Sequence, residues 1–215
     1  MYSDWLKKEY DQWVDILELS TVDNFARRPM VQRMLSINAP KHPYNKLNPL
    51  EESRINLIAS LGGLSFIDLR FDVQRMIYYA QRVLKENPTH IVEIGGGVGQ
   101  FAAILSALGY EGKYYIYDIP QVNKFQRVYL DSIYDELGVF VQMEKGDFDY
   151  CVSFYALGEF EDSVKYWYIE NIVKKCPHGL IAWNPHSGAS DIITFPCRVE
   201  PEPVQSHPNN KLLVW

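Results

Sequence analysis

One glycine-rich stretch holds the residues best suited to binding and chemistry. Its pattern is E-x-G-x-G-x-G, formed by Glu93, Gly95, Gly97 and Gly99. An apolar β-branched pair precedes the pattern, and an apolar helical pattern follows it directly. Glycine is required where a tight turn needs a positive φ and where a Cβ would keep the backbone away from a ligand. The stretch therefore predicts a strand, a turn and a helix at the start of a nucleotide-type α/β domain.

The spacing of these glycines also indicates the ligand. A dinucleotide fingerprint, G-x-G-x-x-G/A, counted from Gly95 would need glycine or alanine where the chain has Gln100. The observed form is associated with S-adenosylmethionine, which has no pyrophosphate to bind. We therefore expect S-adenosylmethionine as the cofactor. Two alternatives remain: an NAD-dependent oxidoreductase, and a non-catalytic Rossmann-like binding module in which the glycines serve only helix–strand packing.

Further cofactor contacts are predicted where the next two strands end. Asp118 follows the strand-like run Lys113–Tyr117, nineteen residues after Gly99, and is placed to accept hydrogen bonds from ribose hydroxyls; Ile119 belongs to the same site. In the next segment, Asp147 would accept from the adenine amino group and Phe148 would pack on the ring. The alternative for this second pair is a surface turn, since Gly-Asp is a common turn dipeptide.

Two residues are candidates for catalysis, because both follow predicted strands at the edge where open α/β sheets react. Glu159 would act as a general base or as a carboxylate that holds substrate hydroxyls, and the alternative is a solvated acid that opens the next helix. His186 would take a hydroxyl proton, and the alternative is a loop histidine without a role. No metal site is predicted: Asp147, Asp149, Glu159 and Asp191 could converge, but sequence spacing alone does not establish a site.

The elements that position these residues alternate between strand and helix, which predicts an α/β fold with a mostly parallel, Rossmann-like sheet. The predicted strands are His90–Ile94, Tyr114–Tyr117, Val139–Met143, Tyr150–Phe154 and Leu180–Trp183. The predicted helices of this part are Phe101–Leu108, Val122–Leu137 and Ser163–Lys175. The pieces Phe195–Val204 and Lys211–Trp215 predict a terminal antiparallel hairpin.

Residues 1–88 are predicted to be helical and to precede the α/β domain of residues 89–215. The helices are expected at Ser3–Leu19, Asn24–Leu35, Glu51–Leu61 and Asp72–Lys85. One hypothesis makes this segment a lid that shapes the substrate site. The other makes it a packing or dimerisation element, through which the chain would form a homo-oligomer.

Charge and composition exclude several function classes. The 215 residues carry a net charge of −6, which disfavours a nucleic-acid substrate because such a partner needs a basic face. No apolar run approaches the length of a membrane span, and the amino terminus lacks the pattern of a signal peptide. The three cysteines have no metal-ligand spacing and indicate reduced thiols, so we expect a cytoplasmic protein without a membrane partner.

Four segments resemble the sugar O-methyltransferase family over about residues 65 to 215. They are Val92–Gly99, Tyr117-Asp118-Ile119-Pro120-Gln121-Val122 with Tyr129-Leu130, Ser153–Glu159, and the closing Asn210…Val214-Trp215. The resemblance implies a class I methyltransferase fold and transfer of a methyl group from S-adenosylmethionine to a carbohydrate hydroxyl. Two departures concern the choice of acceptor: the third segment here reads Phe-Tyr-Ala-Leu-Gly-Glu, and the amino-terminal part is short.

Overall fold

A six-stranded sheet forms the centre of the protein. The computed structural model describes residues 43–61, 70–137, 146–184, 193–203 and 209–215. The strands are β1 (His90–Ile94), β2 (Lys113–Tyr117), β3 (Tyr150–Phe154), β4 (His178–Trp183), β5 (Arg198–Pro201) and β6 (Lys211–Val214), in the spatial order β2-β1-β3-β4-β6-β5. The first four strands are parallel, whereas β6 is antiparallel to both β4 and β5. The predicted mixed α/β fold with an antiparallel end is confirmed.

The strand register brings the carboxyl ends of five strands, together with the start of the sixth, to one edge of the sheet. The carboxyl ends of β1 to β4 meet there because these strands are parallel. Trp183 of β4 lies opposite Lys211, the first residue of β6, and Lys211 lies opposite Pro201, the last residue of β5. The chain that leaves β5 and the chain that enters β6 therefore lie at the same carboxyl edge. Ligands of open α/β sheets bind at this edge.

Helices cover both faces of the sheet. They are α1 (Pro49–Leu61), α2 (Arg70–Leu84), α3 (Gln100–Ala107), α4 (Pro120–Leu137), the single turn α5 (Ala156–Glu159) and α6 (Asp162–Asn171), followed by a 3₁₀ turn at Val173–Lys175. Buried side chains of α1 to α4 form one apolar cluster with one face of the sheet. The α6 side forms a second cluster on the other face. All eight residues of α3 are buried, which fixes the glycine-rich turn that precedes it.

Most predicted elements are found within two residues of their predicted bounds. Two predicted elements are longer than the observed ones: the helix predicted at Ser163–Lys175 ends at Asn171, and the strand predicted at Phe195–Val204 is found at Arg198–Pro201. The strand predicted at 139–143 and the helices predicted at 3–19 and 24–35 lie outside the described residues. The lid and dimerisation hypotheses for the amino-terminal segment therefore stay predictions. None of the helices in the described ranges is long and apolar enough to cross a membrane.

Candidate functional site

The turn between β1 and α3 needs its glycines for conformation and for space. Gly95, Gly97 and Gly99 all have positive φ, at 72°, 55° and 86°. A Cβ on Gly95 would collide with the Cβ of Ala156, the first residue of α5. The turn thus lies directly against the segment that leaves β3, so the ends of β1 and β3 form one continuous surface.

Three backbone N–H groups of this turn are occupied inside the protein. Gly95 N–H donates to the carbonyl of Tyr117 at 2.8 Å, and Gly99 N–H donates to the carbonyl of Gly96 at 2.8 Å. Gly97 N–H donates to Oδ2 of Asp118 at 3.2 Å. A turn that cradles a pyrophosphate does so with N–H groups pointing at the phosphates. These three N–H groups point elsewhere, and Gln100 follows them as the buried first residue of α3.

Asp118 lies at the end of β2 and faces the glycine turn, as predicted from its spacing. Besides Gly97, its carboxylate accepts the N–H of Ile119 at 2.8 Å and Nε2 of Gln126 at 3.0 Å. Burial raises the pKa of Asp118 to about 6, although the hydrogen bonds from Ile119, Gln126, Gly97 and Gly96 lower it. A carboxylate has about four acceptor sites, so a ribose hydroxyl would bind here by sharing or replacing one of these four donors.

Gln126 is a site residue that the sequence analysis missed. This α4 side chain is fully buried, and its Nε2 bridges the carbonyl of Gly97 at 2.8 Å and the carboxylate of Asp118. Its Oε1 is buried without a hydrogen-bond partner among the described residues, as is Oδ1 of Asn123 one turn earlier. The only signal in the sequence is an amide eight residues after the strand-end aspartate, where two helical turns bring it back over that residue.

Glu93 lies beneath the turn. Its side chain is 2% exposed, and its Oε2 accepts the hydroxyl of Tyr114 at 2.8 Å. Burial raises the pKa of Glu93 to about 8; the bond from Tyr114 lowers it, and the nearby Asp118 raises it further. Glu93 therefore carries a proton through much of the neutral range, and its buried position makes it a support of the turn.

The segment after β3 is held against the same edge. The hydroxyl of Ser153 donates to the carbonyl of Ile94 at 2.8 Å and accepts the N–H of Leu157 at 3.2 Å, which ties α5 to β1. Tyr155 has a left-handed backbone with φ of 68°, a conformation that costs a residue with a side chain about 1–3 kcal/mol. Such residues concentrate at functional sites.

Glu159, at the end of α5, is half-buried and lies beside the end of β4. Nδ2 of Asn184 donates to its Oε1 at 3.4 Å. The structure thus brings Glu159 to the carboxyl edge, where the sequence predicts it. Its catalytic role stays a prediction. His186 lies outside the described residues, and its role also stays a prediction.

Asp147 and Phe148 are not brought to the glycine turn. They immediately precede Asp149, whose carboxylate accepts the N–H groups of Thr89 and His90 at 2.9 Å each, at the amino end of β1. Asp147 is exposed, and the Phe148 ring packs on Tyr115 with centroids 5.7 Å apart. The two residues thus adjoin the edge opposite the turn, and their place does not support the predicted contact with adenine.

The predicted absence of a metal site is not contradicted by this geometry. Within the described part of the chain, no three His, Cys, Asp or Glu side chains are grouped so that they could hold a metal ion. Asp149 and Glu159, two of the carboxylates that the sequence offers as possible metal ligands, lie at opposite edges of the sheet.

Comparisons with known proteins find similar folds only. No protein-family model matches the chain, and no curated protein matches it. A structure of PigF with SAH (S-adenosylhomocysteine) is 14% identical with a TM-score of 0.47, over 65% of this chain and 60% of that chain. Magnesium protoporphyrin IX methyltransferase from Synechocystis PCC 6803 with bound SAM is 9% identical with a TM-score of 0.47, over 93% and 95%. An O-methyltransferase family protein from Burkholderia thailandensis is 13% identical with a TM-score of 0.43, over 85% and 66%. The choice of ligand for this chain therefore depends on its own site.

Proposed function

We propose that this protein is an S-adenosylmethionine-dependent O-methyltransferase and that its acceptor is a hydroxyl group of a carbohydrate. The observation that carries the cofactor is the occupied glycine turn. Its N–H groups bind Tyr117, Asp118 and Gly96, which suits a ligand that has no phosphate. The same observation disfavours the NAD-dependent oxidoreductase, because three N–H groups of the turn do not point toward a pyrophosphate.

The residues around the turn fit an adenosine ligand. The carboxylate of Asp118 lies at the turn, where a ribose hydroxyl can replace one of the N–H donors that it now binds. The partnerless oxygens of Gln126 and Asn123 lie beside it and can accept N–H donors. Glycine at positions 95 and 96 lets Ala156 and Ile116 pack directly against the turn, where a Cβ would collide with them. When bound, the cofactor supplies an electrophilic methyl group on a positively charged sulfur.

The protein's own part in the reaction is alignment and proton removal. Holding a hydroxyl oxygen in line with the methyl group can lower a barrier by about 7–11 kcal/mol. Glu159 lies at the edge where an acceptor would bind, and we propose that it holds acceptor hydroxyls. His186 is the group that the sequence proposes for taking the hydroxyl proton, which would contribute about 10²–10⁴-fold in rate. The carbohydrate acceptor is supported by the four segments that resemble the sugar O-methyltransferase family.

Calorimetric titration tests the cofactor. We expect S-adenosylhomocysteine to bind at micromolar concentration and NAD to give no heat of binding. Preference for NAD would replace the methyltransferase with the oxidoreductase. If neither ligand gave a heat of binding, the non-catalytic binding module would be the better proposal.

A labelling experiment tests the acceptor. Tritium from the methyl group of S-adenosylmethionine should appear in a mixture of unprotected mono- and disaccharides and should require the protein. Transfer to catechols or carboxylic acids in parallel mixtures, with none to the saccharides, would overturn the carbohydrate proposal while retaining methyl transfer.

A further inference from the structure

A buried cluster of polar side chains at the carboxyl edge has no part in the cofactor site. Its centre is Glu202, which follows β5 and is 3% exposed. The hydroxyl of Tyr79 in α2 donates to Oε1 of Glu202 at 2.6 Å, and the hydroxyl of Tyr155 donates to the same oxygen. Asn210, just before β6, donates its Nδ2 to Oε2 of Glu202 at 3.1 Å. We refer to Tyr79, Tyr155 and Glu202 as the proton triad.

The proton triad lies where an acceptor would bind. Tyr155 directly follows β3, and Ala156 beside it contacts the glycine turn at Gly95. Tyr79 is fully buried and Glu202 nearly so, whereas Tyr155 is half-buried. Tyr155 is therefore the least buried member of the proton triad. Its left-handed backbone indicates that this position is maintained despite strain.

The three oxygens have places for more protons than the two phenols supply. The two hydroxyl oxygens lie 3.0 Å apart, and each also contacts Oε1 of Glu202, so the oxygens form a triangle with three contacts. With Glu202 ionised, both phenols donate their protons in hydrogen bonds to the carboxylate, and no proton lies between the two phenol oxygens. One additional proton fills the third contact, so that each oxygen donates once and accepts once. The triad is thus built to take up one proton.

The surrounding groups favour Glu202 as the final proton acceptor. Burial raises the pKa of Tyr155, although the Arg75 guanidinium, 4.7 Å from the centroid of its ring, lowers it. Burial also raises the pKa of Tyr79. Neither phenol therefore ionises near neutral pH. The other charged side chains described on α2, β5 and β6 are Arg82 and Arg198, which pair with Glu200 at 2.9 and 2.6 Å, and Lys211 in β6.

We propose that Tyr155, in place of the His186 that the sequence predicts, is a catalytic residue that takes the proton of the acceptor hydroxyl while it passes its own proton to Glu202; this inference rests on the proposed function. The acceptor oxygen forms its bond to the methyl carbon, and the carbon–sulfur bond breaks with its electron pair left on sulfur. The hydroxyl proton moves to the oxygen of Tyr155, and the proton of Tyr155 moves to Glu202. Tyr79 and Asn210 are positioning residues, because they hold Glu202 without reaching the acceptor.

Carbon-13 NMR of tyrosine labelled at Cζ tests the proton triad without an acceptor. In the parent protein, the resonances of Tyr79 and Tyr155 should shift together as one proton titrates within the pH range where the protein stays folded. Glu202→Gln, which keeps the shape but cannot take the proton, should abolish this shared titration. Tyr78→Phe removes a neighbouring hydroxyl of α2 and should leave it intact. Independent behaviour of the two phenols in the parent would overturn the proposal.

Turnover with tritiated S-adenosylmethionine and the saccharide mixture tests the catalytic step. Tyr155→Phe should lower methyl transfer by about 10²–10⁴-fold. Glu202→Gln should lower it and change its pH profile, and Tyr78→Phe should do neither. Both triad variants should bind S-adenosylhomocysteine within about twofold of the parent, which also shows that they fold. Parent-like turnover and pH profile in Tyr155→Phe, with the loss found instead in His186→Ala, would overturn the role of Tyr155. Failure of the proposed function differs from both results, because the parent itself would then not bind S-adenosylhomocysteine.

Discussion

At the scale of single residues, the assignment of the cofactor depends most on Asp118. Replacing it by alanine removes the acceptor for a ribose hydroxyl and leaves the N–H of Gly97 and the amide of Gln126 without their partner. We expect Asp118→Ala to weaken S-adenosylhomocysteine binding by about 10- to 100-fold, since a hydrogen bond to a charged group contributes about 1.5–3 kcal/mol. Calorimetry measures this loss.

Two aspartates serve as controls for that variant. Asp131→Ala removes an exposed carboxylate from α4 and should leave the affinity unchanged. Asp147→Ala should also have no effect, because Asp147 adjoins the opposite edge of the sheet. A loss in Asp147→Ala that matches the loss in Asp118→Ala would restore the adenine contact that the sequence predicts and would contradict this placement.

The protonation of Glu93 gives a second prediction, for stability. Its pKa is raised from 4.5 to about 8, so between these values the folded protein holds a proton that the unfolded chain has released. The free energy of unfolding should therefore fall as pH rises through this window and level off above it, by a few kcal/mol in all. Glu93→Gln keeps the acceptor for Tyr114 and should remove this fall.

Urea denaturation of the parent and of Glu93→Gln across the window measures the difference. Glu111→Gln, which removes an exposed carboxyl, should follow the parent curve. If the parent and Glu93→Gln give parallel curves, Glu93 is ionised in the folded protein. Other interactions would then stabilise its buried charge beneath the turn.

At the scale of elements, the glycine turn and α5 are expected to act as one rigid unit. Gly95 and Gly109 both have positive φ, but only at Gly95 would a Cβ meet another atom, on Ala156. Gly109→Ala should cost about 1 kcal/mol for backbone strain alone. Gly95→Ala should cost about 2–4 kcal/mol, because crowding adds to the strain.

Denaturation of the two glycine variants separates strain from contact. Equal losses would mean that α5 moves aside for the added Cβ and that the ends of β1 and β3 are not held together. A larger loss for Gly95→Ala would confirm the shared surface on which both the cofactor site and the proton triad depend.

Which elements could be predicted follows from the range of the signals. The glycine turn and the aspartate after β2 are encoded within about thirty residues, where periodicity and spacing are informative, and both lie as predicted. The sequence predicts that Asp147 follows the end of a strand at 139–143. In the structure, Asp147 lies just before β3 begins. The proton triad joins Tyr79 to residues 76 and 123 positions later, which only the strand order brings together.

At the scale of the whole molecule, the terminal hairpin links the fold to the site. β6 lies between β4 and β5 and is entered from Asn210, while β5 leads to Glu202. The last residue, Trp215, packs beside β6 and stabilises this hairpin. Its Nε1 donates to the carbonyl of Cys176 at 2.9 Å, and its ring packs edge-on against Phe195 with centroids 5.0 Å apart. Trp215 also covers Gly179 in β4, where a Cβ would collide with the indole.

Trp215→Ala should therefore lower the free energy of unfolding by about 2–4 kcal/mol, less than for a fully buried tryptophan because Trp215 is half-buried. Trp167→Ala, on a side chain that is 50% exposed in α6, should cost less than about 1 kcal/mol. Because the proposed cofactor site lies at β1 and β2, affinity for S-adenosylhomocysteine should survive in Trp215→Ala. The shared titration of Tyr79 and Tyr155 should weaken instead, since Glu202 and Asn210 are carried by the loosened hairpin. Equal stability losses in the two tryptophan variants would show that strand pairing alone holds the hairpin. In that case the shared titration of Tyr79 and Tyr155 should remain unchanged in Trp215→Ala.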